Sequence, residues 1–311
     1  MVAALVVFAV IGPLAARHGP LESDFVHGIG ADGVPVGPSA SYWLGADRLF
    51  RDELARVASA GRISLTIAVF ATLIASAIGA LVGVVAGWYE GQRARVPWGA
   101  LAGLTATITG ASLGHPALAA CALVAAAVEA TRRGAGPRVD VDAALMRIVD
   151  VLLAFPFMLL VMAVGAALDR TSSVTIFVTL GVTGWVGIAR VLRAKTMQVR
   201  ASEYVEASRA LGQSTVKLVL RHVVPNLAGT LVVTATVQVA QMIVADSVLS
   251  YLGVGISPPT PTWGRMLFEG QEDYRVAPWL VAVPGVAIVL AVWGFNMLGE
   301  GLRDALDPRD A

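Results

Sequence analysis

Long stretches of this sequence carry no Asp, Glu, Lys or Arg at all. Six of them occupy residues 1–16, 63–89, 96–128, 174–189, 223–245 and 278–298. An α-helix rises 1.5 Å per residue, so about 20 apolar residues cross a hydrocarbon core about 30 Å thick. In lipid the backbone has to satisfy its own hydrogen bonds, and a helix does so within each segment. Composition agrees: 56% of residues are hydrophobic and 14% charged, where a soluble domain carries about 25% charged residues. Intrinsic disorder and an ordinary soluble enzyme are excluded on that ground. The net charge of +1 gives no basic excess for nucleic acid, and the single cysteine, Cys121, permits no internal disulfide. The chain reads as an all-α polytopic membrane protein with a single transmembrane domain over residues 1–311.

Residues 1–16 lack the positive start of a cleaved signal peptide and read as an uncleaved anchor helix. Residues 17–60, polar and rich in Gly and Pro, read as an external loop. The span 63–89 carries Gly79, Gly83 and Gly87 at four-residue spacing. That spacing either lets a neighbouring helix approach closely or reflects the general frequency of Gly in membrane helices. Residues 96–128 would make a straight helix of about 50 Å, too long for one crossing. His115-Pro116 after Gly114 is a natural break, so an extra helical hairpin is expected at about 97–131. Its flanks are basic on both sides, at Arg93 and Arg95 and at Arg132, Arg133 and Arg138, so it crosses an even number of times. The next span, 143–168, contains Arg147 and Asp150, three apart and able to pair, and Pro156, which is placed to kink it. Residues 190–222 hold seven of the 23 Lys and Arg against two acids, Glu203 and Glu206. With that segment inside, both termini are cytoplasmic.

Catalytic motifs are missing. The two lysines, Lys195 after Ala194 and Lys217 before Leu218, fit no P-loop, so this chain is not expected to hydrolyse ATP. His18, His27, His115 and His222 are scattered, and no His-Glu-x-x-His or G-x-S-x-G pattern occurs. No catalytic residue, metal site or bound cofactor is expected in this chain.

The polar segment is more informative. Glu203-Tyr-Val-Glu-Ala-Ser-Arg-Ala-Leu-Gly212 reads as a short amphipathic helix. Ser202 stands at its N-cap, Glu203 in its positive first turn, and Gly212 where a helix ends in a left-handed residue. A second helix starts near Ser214 and runs to His222, and Pro225 opens the next span. Val205, Leu211, Val216 and Leu220 can pack inward while Arg209, Lys217 and Arg221 face a partner.

The order Glu206-Ala207-Ser208, then Gly212, then Arg221-His222-Val223-Val224-Pro225-Asn226 resembles the EAA loop of bacterial ATP-binding-cassette importer permeases. Trp43-Leu44-Gly45-Ala46-Asp47-Arg48, Asp150 through Pro156, Leu249 through Gly255, Pro258 through Gly264 and Asn296 through Pro308 resemble further motifs of that family, in order. The likeness covers 42–91 and 140–308 and is to the dipeptide/oligopeptide/nickel permease group, in its C-type subunit. Residues 92–139 have no counterpart there and form an insertion. The resemblance implies the type I permease fold, with six core transmembrane helices; the hairpin would make eight. It implies a multi-pass protein of the bacterial plasma (inner) membrane. Its partners would be a second permease subunit, two ATP-binding subunits that bind ATP and Mg, and an extracytoplasmic substrate-binding protein delivering peptide.

Within that family the segment 190–222 is the cytoplasmic coupling segment. The resemblance carries coupling to the ATPase onto Glu203, Glu206, Ala207, Ser208, Arg209, Gly212 and Pro225. Gln238, Gln241 and Asp246 are candidates for the pathway lining; Asp246 can equally be an acid at the membrane edge touching water. Pro258, Pro259 and Trp263 either contact the binding protein or belong to a rigid lid. A nickel permease of the same fold remains an alternative, as does a self-sufficient secondary transporter, which would call for inverted repeats and several intramembrane acids.

Overall fold

The computed structural model of the chain describes residues 1–30, 33–95, 138–167 and 172–306 and the isolated positions 103, 106, 121, 122 and 126. In chain order the elements are α1 (Val2–Ala15), α2 (Glu53–Trp88), a ribbon of β1 (Arg93–Arg95) with β2 (Arg138–Asp140), α3 (Val141–Ala154), α4 (Phe157–Ala167), α5 (Ser173–Thr183) and α6 (Val186–Arg200). Then follow α7 (Glu203–Ala210), α8 (Thr215–Leu218), a π-helical turn (Val219–Val223), α9 (Val224–Tyr251), α10 (Trp263–Gly270) and α11 (Trp279–Leu306).

Three helical runs among the described residues are long and apolar enough to cross a membrane: α2, the continuous stretch Thr215–Tyr251, and α11. Two bent helix pairs reach the same length and apolarity when each pair is taken together. α3 and α4 meet at 93° and α5 and α6 at 42°, and α1 is a shorter apolar helix. Pro156 follows the α3–α4 break, where it can neither donate a backbone hydrogen bond nor leave Phe155 in the helical region; Phe155 is extended at ψ 137°. The result is a sharp corner rather than the kink expected from sequence. The expected span ending at residue 189 also continues, as α6, to Arg200, because Ile188, Leu192 and Val199 keep one apolar face buried among otherwise polar positions.

The insertion leaves and returns through one antiparallel ribbon, with Arg93 opposite Asp140 and Arg95 opposite Arg138. Both of its ends therefore lie at the same place, as an even number of crossings requires. Of the expected hairpin, Gly103 lies against Ala126; the rest of that expectation falls outside the described residues.

The long helix α2 is the axis of the structure. Asp52 caps it, accepting from the backbone N–H of Leu54 at 2.9 Å and of Ala55 at 3.3 Å. Its sides pack against α1, α5, α6 and α9, and Ile67, Ala68, Ala71 and Ala75 are fully buried there. The glycine spacing is a helix contact. A Cβ at Gly79 would sit 2.8 Å from Cβ of Ile188, one at Gly83 2.6 Å from the Ala189 carbonyl, and one at Gly87 2.6 Å from the Arg193 carbonyl. The backbones of α2 and α6 thus touch along three turns.

Charged groups fix the next layer. Arg193 of α6 grips Asp142 of α3 through two parallel hydrogen bonds, Nε to Oδ1 at 2.6 Å and Nη2 to Oδ2. Asp150 pairs with Arg190 and not, as the sequence spacing suggested, with Arg147. The extension of α6 brings Arg190 alongside α3, and an interhelical partner replaces the local one.

The seam predicts unequal tolerance for two glycines. Gly83→Leu forces the α2 and α6 backbones apart and is expected to lower stability by about 1–3 kcal/mol or more, whereas Gly187→Ala, with no heavy atom within 4 Å of its Cβ, is neutral. Thermal unfolding in detergent measures both; equal melting temperatures would remove the seam from the account of stability.

Candidate functional site

The segment between α6 and α9 projects from one end of the bundle. Ser202 occupies the N-cap position of α7 with extended φ/ψ of −77° and 144°, but its hydroxyl donates to the Val199 carbonyl at 2.6 Å and makes no cap bond. Val205 is fully buried and roots α7 to the bundle. At the other end Gly212 has φ +79°. The backbone N–H of Gln213 donates to Ser208 at 3.3 Å and that of Gly212 to Arg209 at 3.0 Å. This is the double reversal that ends a helix on a left-handed residue, which here is the expected glycine.

The chain then enters α8 and the π turn. The N–H of Val224 reaches back five residues to Val219, and the side chain of Asn226 donates to the His222 carbonyl at 2.7 Å. These bonds carry the helix past Pro225, which has no N–H to give. One expectation is corrected here. Leu211, Val216 and Leu220 do not pack inward but are 84%, 67% and 63% exposed, while Leu218 and Val223 take the buried positions. An eight-residue helix and a four-residue helix leave few positions for periodicity to separate the faces. Arg209 is exposed, but its guanidinium lies 5.3 Å over the ring of Trp88 at the end of α2. Glu203, Glu206 and Ala207 are exposed on the projection and Ser208 is half-buried.

Beside the two helix breaks lies a cavity of about 560 Å³. Leu152, Phe155, Phe157 and Met158 come from the α3–α4 corner, Thr183, Gly184 and Gly187 from the α5–α6 bend, Gln238 and Gln241 from α9, and Asn296 from α11. Gln238 donates from Nε2 to the carbonyl of Gly184 at 3.2 Å, satisfying a group at the bend. The polar side chains on the wall are neutral: three amides and one hydroxyl. Gln238 and Gln241, the candidates for a pathway lining, both border this cavity. Asn296 was missed, although its amide stands out in an apolar span. Asp246 does not line this cavity. It is fully buried between α9 and α2, accepting from the Ser64 hydroxyl at 3.0 Å, and so neither reaches water nor faces the cavity.

The opposite end carries α10 and a second cleft of about 430 Å³. Pro258 and Pro259 are exposed on its wall. Trp263 is only 1% exposed, its indole N–H donating to the Val57 carbonyl at 3.0 Å, so it anchors α10 to α2 and is not available to a partner. Beneath the cleft, Arg56 of α2 joins Asp47 at 3.1 Å and Glu269 of α10 at 2.7 Å, and Arg51 joins Asp47 at 2.6 Å. The loop leading to α2 is pinned at Asp24, which accepts from the N–H groups of His27 and Val26 and from the Tyr42 hydroxyl. Those bonds hold the Asp24 carboxyl well below the usual carboxylate range, and burial together with Asp24 pushes the Tyr42 phenol up to about 12.

Arg56 is 2% exposed. Arg56→Met therefore removes the more deeply buried of the two cations, Arg56 and Arg51, that Asp47 and Glu269 share. Arg51 remains, so the cost is expected to stay below the figure of about 3–5 kcal/mol for a fully broken buried pair, with part recovered in the double variant Arg56→Met/Glu269→Gln. Melting of the purified variants tests this; a double variant worse than the sum of both singles would contradict it.

Among the described residues no group of three or more His, Cys, Asp and Glu is placed to hold a metal ion. Residues 120–310 match the family described as "Binding-protein-dependent transport system inner membrane component". The chain is 32% identical over 278 residues to the glutathione transport system permease protein GsiD of Pectobacterium atrosepticum, covering 89% of this chain and 76% of that protein. It is 33% identical, with the same coverage, to GsiD of Escherichia coli O6:K15:H31. A solved structure of the MetNI methionine ABC transporter in inward facing conformations shares the fold, at a TM-score of 0.52 and 16% identity over 81% of this chain and 96% of that one. The chain belongs to the inner-membrane permeases of binding-protein-dependent ABC importers, in their peptide/oligopeptide group.

Proposed function

We propose that the chain forms half of a translocation pathway for small peptides and is driven by ATPase subunits that grip the α7–α8 projection. The observation that carries this is the projection itself. It is a Gly212-terminated helix pair between two spans, rooted by Val205 and Leu218 and presenting Leu211, Val216 and Leu220 to solvent. Three large apolar side chains on one short exposed segment call for a protein partner. Exposed Glu203, Glu206 and Lys217 supply the polar rim.

In this reading the α7 end is cytoplasmic, as are both termini. ATP and Mg bind to the partner subunits, a second permease completes the pathway, and an extracytoplasmic binding protein meets the α10 end near Pro258 and Pro259. Closure of the ATPase pair moves the projection and biases the permeases between inward-open and outward-open states. The cavity of amides and aromatic side chains at Gln238, Gln241, Asn296, Phe155 and Phe157 suits the amide groups of a peptide. The GsiD relatives make glutathione the first substrate to try.

Gly212→Asp forces a side chain onto a residue at φ +79°. It is expected to abolish uptake of labelled glutathione and dipeptides by cells that depend on this chain, with the protein still present in the membrane. Uptake that survives ATP depletion would overturn the ATP-driven reading, and uptake of labelled nickel alone would overturn the peptide assignment.

A further inference from the structure

We propose that Arg200 is a positioning residue that makes α2 move as one body with the coupling projection. Arg200 is the last residue of α6. Its Nη1 donates to the carbonyls of Gly87 at 3.3 Å, Trp88 at 3.0 Å and Glu90 at 3.0 Å, and stands 3.7 Å from the Glu90 carboxylate. The last carbonyls of a helix have no partner within it and carry the negative end of its dipole. A guanidinium there closes the end of α2 and fastens it to the root of α7.

A second contact grips the same turn. Arg209, near the far end of α7, lays its guanidinium 5.3 Å over the buried Trp88 ring. Both ends of the segment 200–209 therefore hold the last turn of α2, although 112 positions separate Arg200 from Trp88 in sequence. Gly87, packed on the Arg193 carbonyl, removes the space in which that turn could slide.

The mechanical consequence follows from the helices. Along the peptide chain, motion of α7 enters α6 and meets the 42° bend before α5. Helix α2 offers an unbroken route of 36 residues, about 54 Å, from Trp88 to Glu53, ending beside the Arg56–Glu269–Asp47 network. Arg200 gives the projection access to that stiffer route. The inference rests on the reading that ATPase subunits dock on α7; the path itself is a contiguous set of contacts whose coupling is to be measured.

The test uses the complex purified through this chain and reconstituted in sealed proteoliposomes, with Cys121 replaced by serine. Spin labels at exposed Ala210 of α7 and exposed Leu81 of α2 report their separation by electron paramagnetic resonance. In the unsubstituted protein the distance is expected to be the same with and without ATP. In Arg200→Gln it is expected to differ between the two states, with uptake per ATP hydrolysed falling about tenfold, a usual size for coupling between sites. Arg200→Lys, which keeps the cation without the planar fork, is expected to restore part of the loss. A distance that already changes in the unsubstituted protein overturns the proposal, and does so whether or not Arg200→Gln folds. Hydrolysis and uptake falling in proportion in both variants, at unchanged distance, overturns it too and makes Arg200 merely structural. If no ATPase accompanies the unsubstituted chain, the docking reading fails first and this inference with it.

Discussion

The backbone-to-backbone contact between α2 and α6 sets the position of nearly everything else. In lipid there is no hydrophobic gain in bringing two helices together, so association depends on how closely the surfaces fit. At Gly79, Gly83 and Gly87 the fit is close enough that no Cβ could be added without displacing α6. Two spans are thereby aligned in register, and α6 delivers its basic residues at fixed heights. Arg190 meets Asp150, Arg193 meets Asp142, and Arg200 meets the end of α2. A shift of one helical turn, about 5.4 Å, would break all three.

Against that rigid pair stand two deliberate interruptions. The α3–α4 corner at Pro156 and the α5–α6 bend at Gly184 each free backbone groups from their helical partners. Both interruptions border the same cavity, and one freed carbonyl is answered by Gln238. Irregular backbone, neutral amides and open volume coincide, which is the arrangement a membrane protein needs where a polar solute is to pass. Asp246, by contrast, is buried in packed helix and bound to Ser64. An isolated intramembrane carboxylate draws attention in a sequence; here one oxygen accepts from Ser64 and the other is buried with no hydrogen-bond partner.

Legibility from sequence followed the range of the interaction. Spans, the break at Pro156 and the turn at Gly212 are written in consecutive residues or in one helical period, and they are readable; the glycine spacing leaves close packing and simple abundance open until α6 is seen against it. Arg147–Asp150 looked like a pair for the same reason, since sequence shows local neighbours only; Arg190, 40 positions away, is the actual partner. The exposure of Leu211, Val216 and Leu220 is not written in the sequence, because hydrophobicity does not say which surface a side chain meets. For Trp263 the sequence leaves open a contact residue or part of a rigid lid for the converse reason: its burial depends on α2, some 200 positions earlier. Family likeness compensated in part, since the order of several motifs is far more specific than any one of them.

The two ends of α2 are held by different physics, and that difference bears on how the helix can act. At the α10 end, Arg56 and Arg51 are buried with Asp47 and Glu269, and separating such groups exposes uncompensated charge in a poor dielectric. At the α7 end the ties are a guanidinium on helix carbonyls and a cation over an aromatic ring, both partly open to solvent. A rod clamped firmly at one end and gripped more softly at the other pivots about the firm end. Under the proposed coupling, force applied at α7 would swing the Trp88 end of α2, together with its partner α6 and the wall of the cavity that α6 contributes, while the α10 end stays in register.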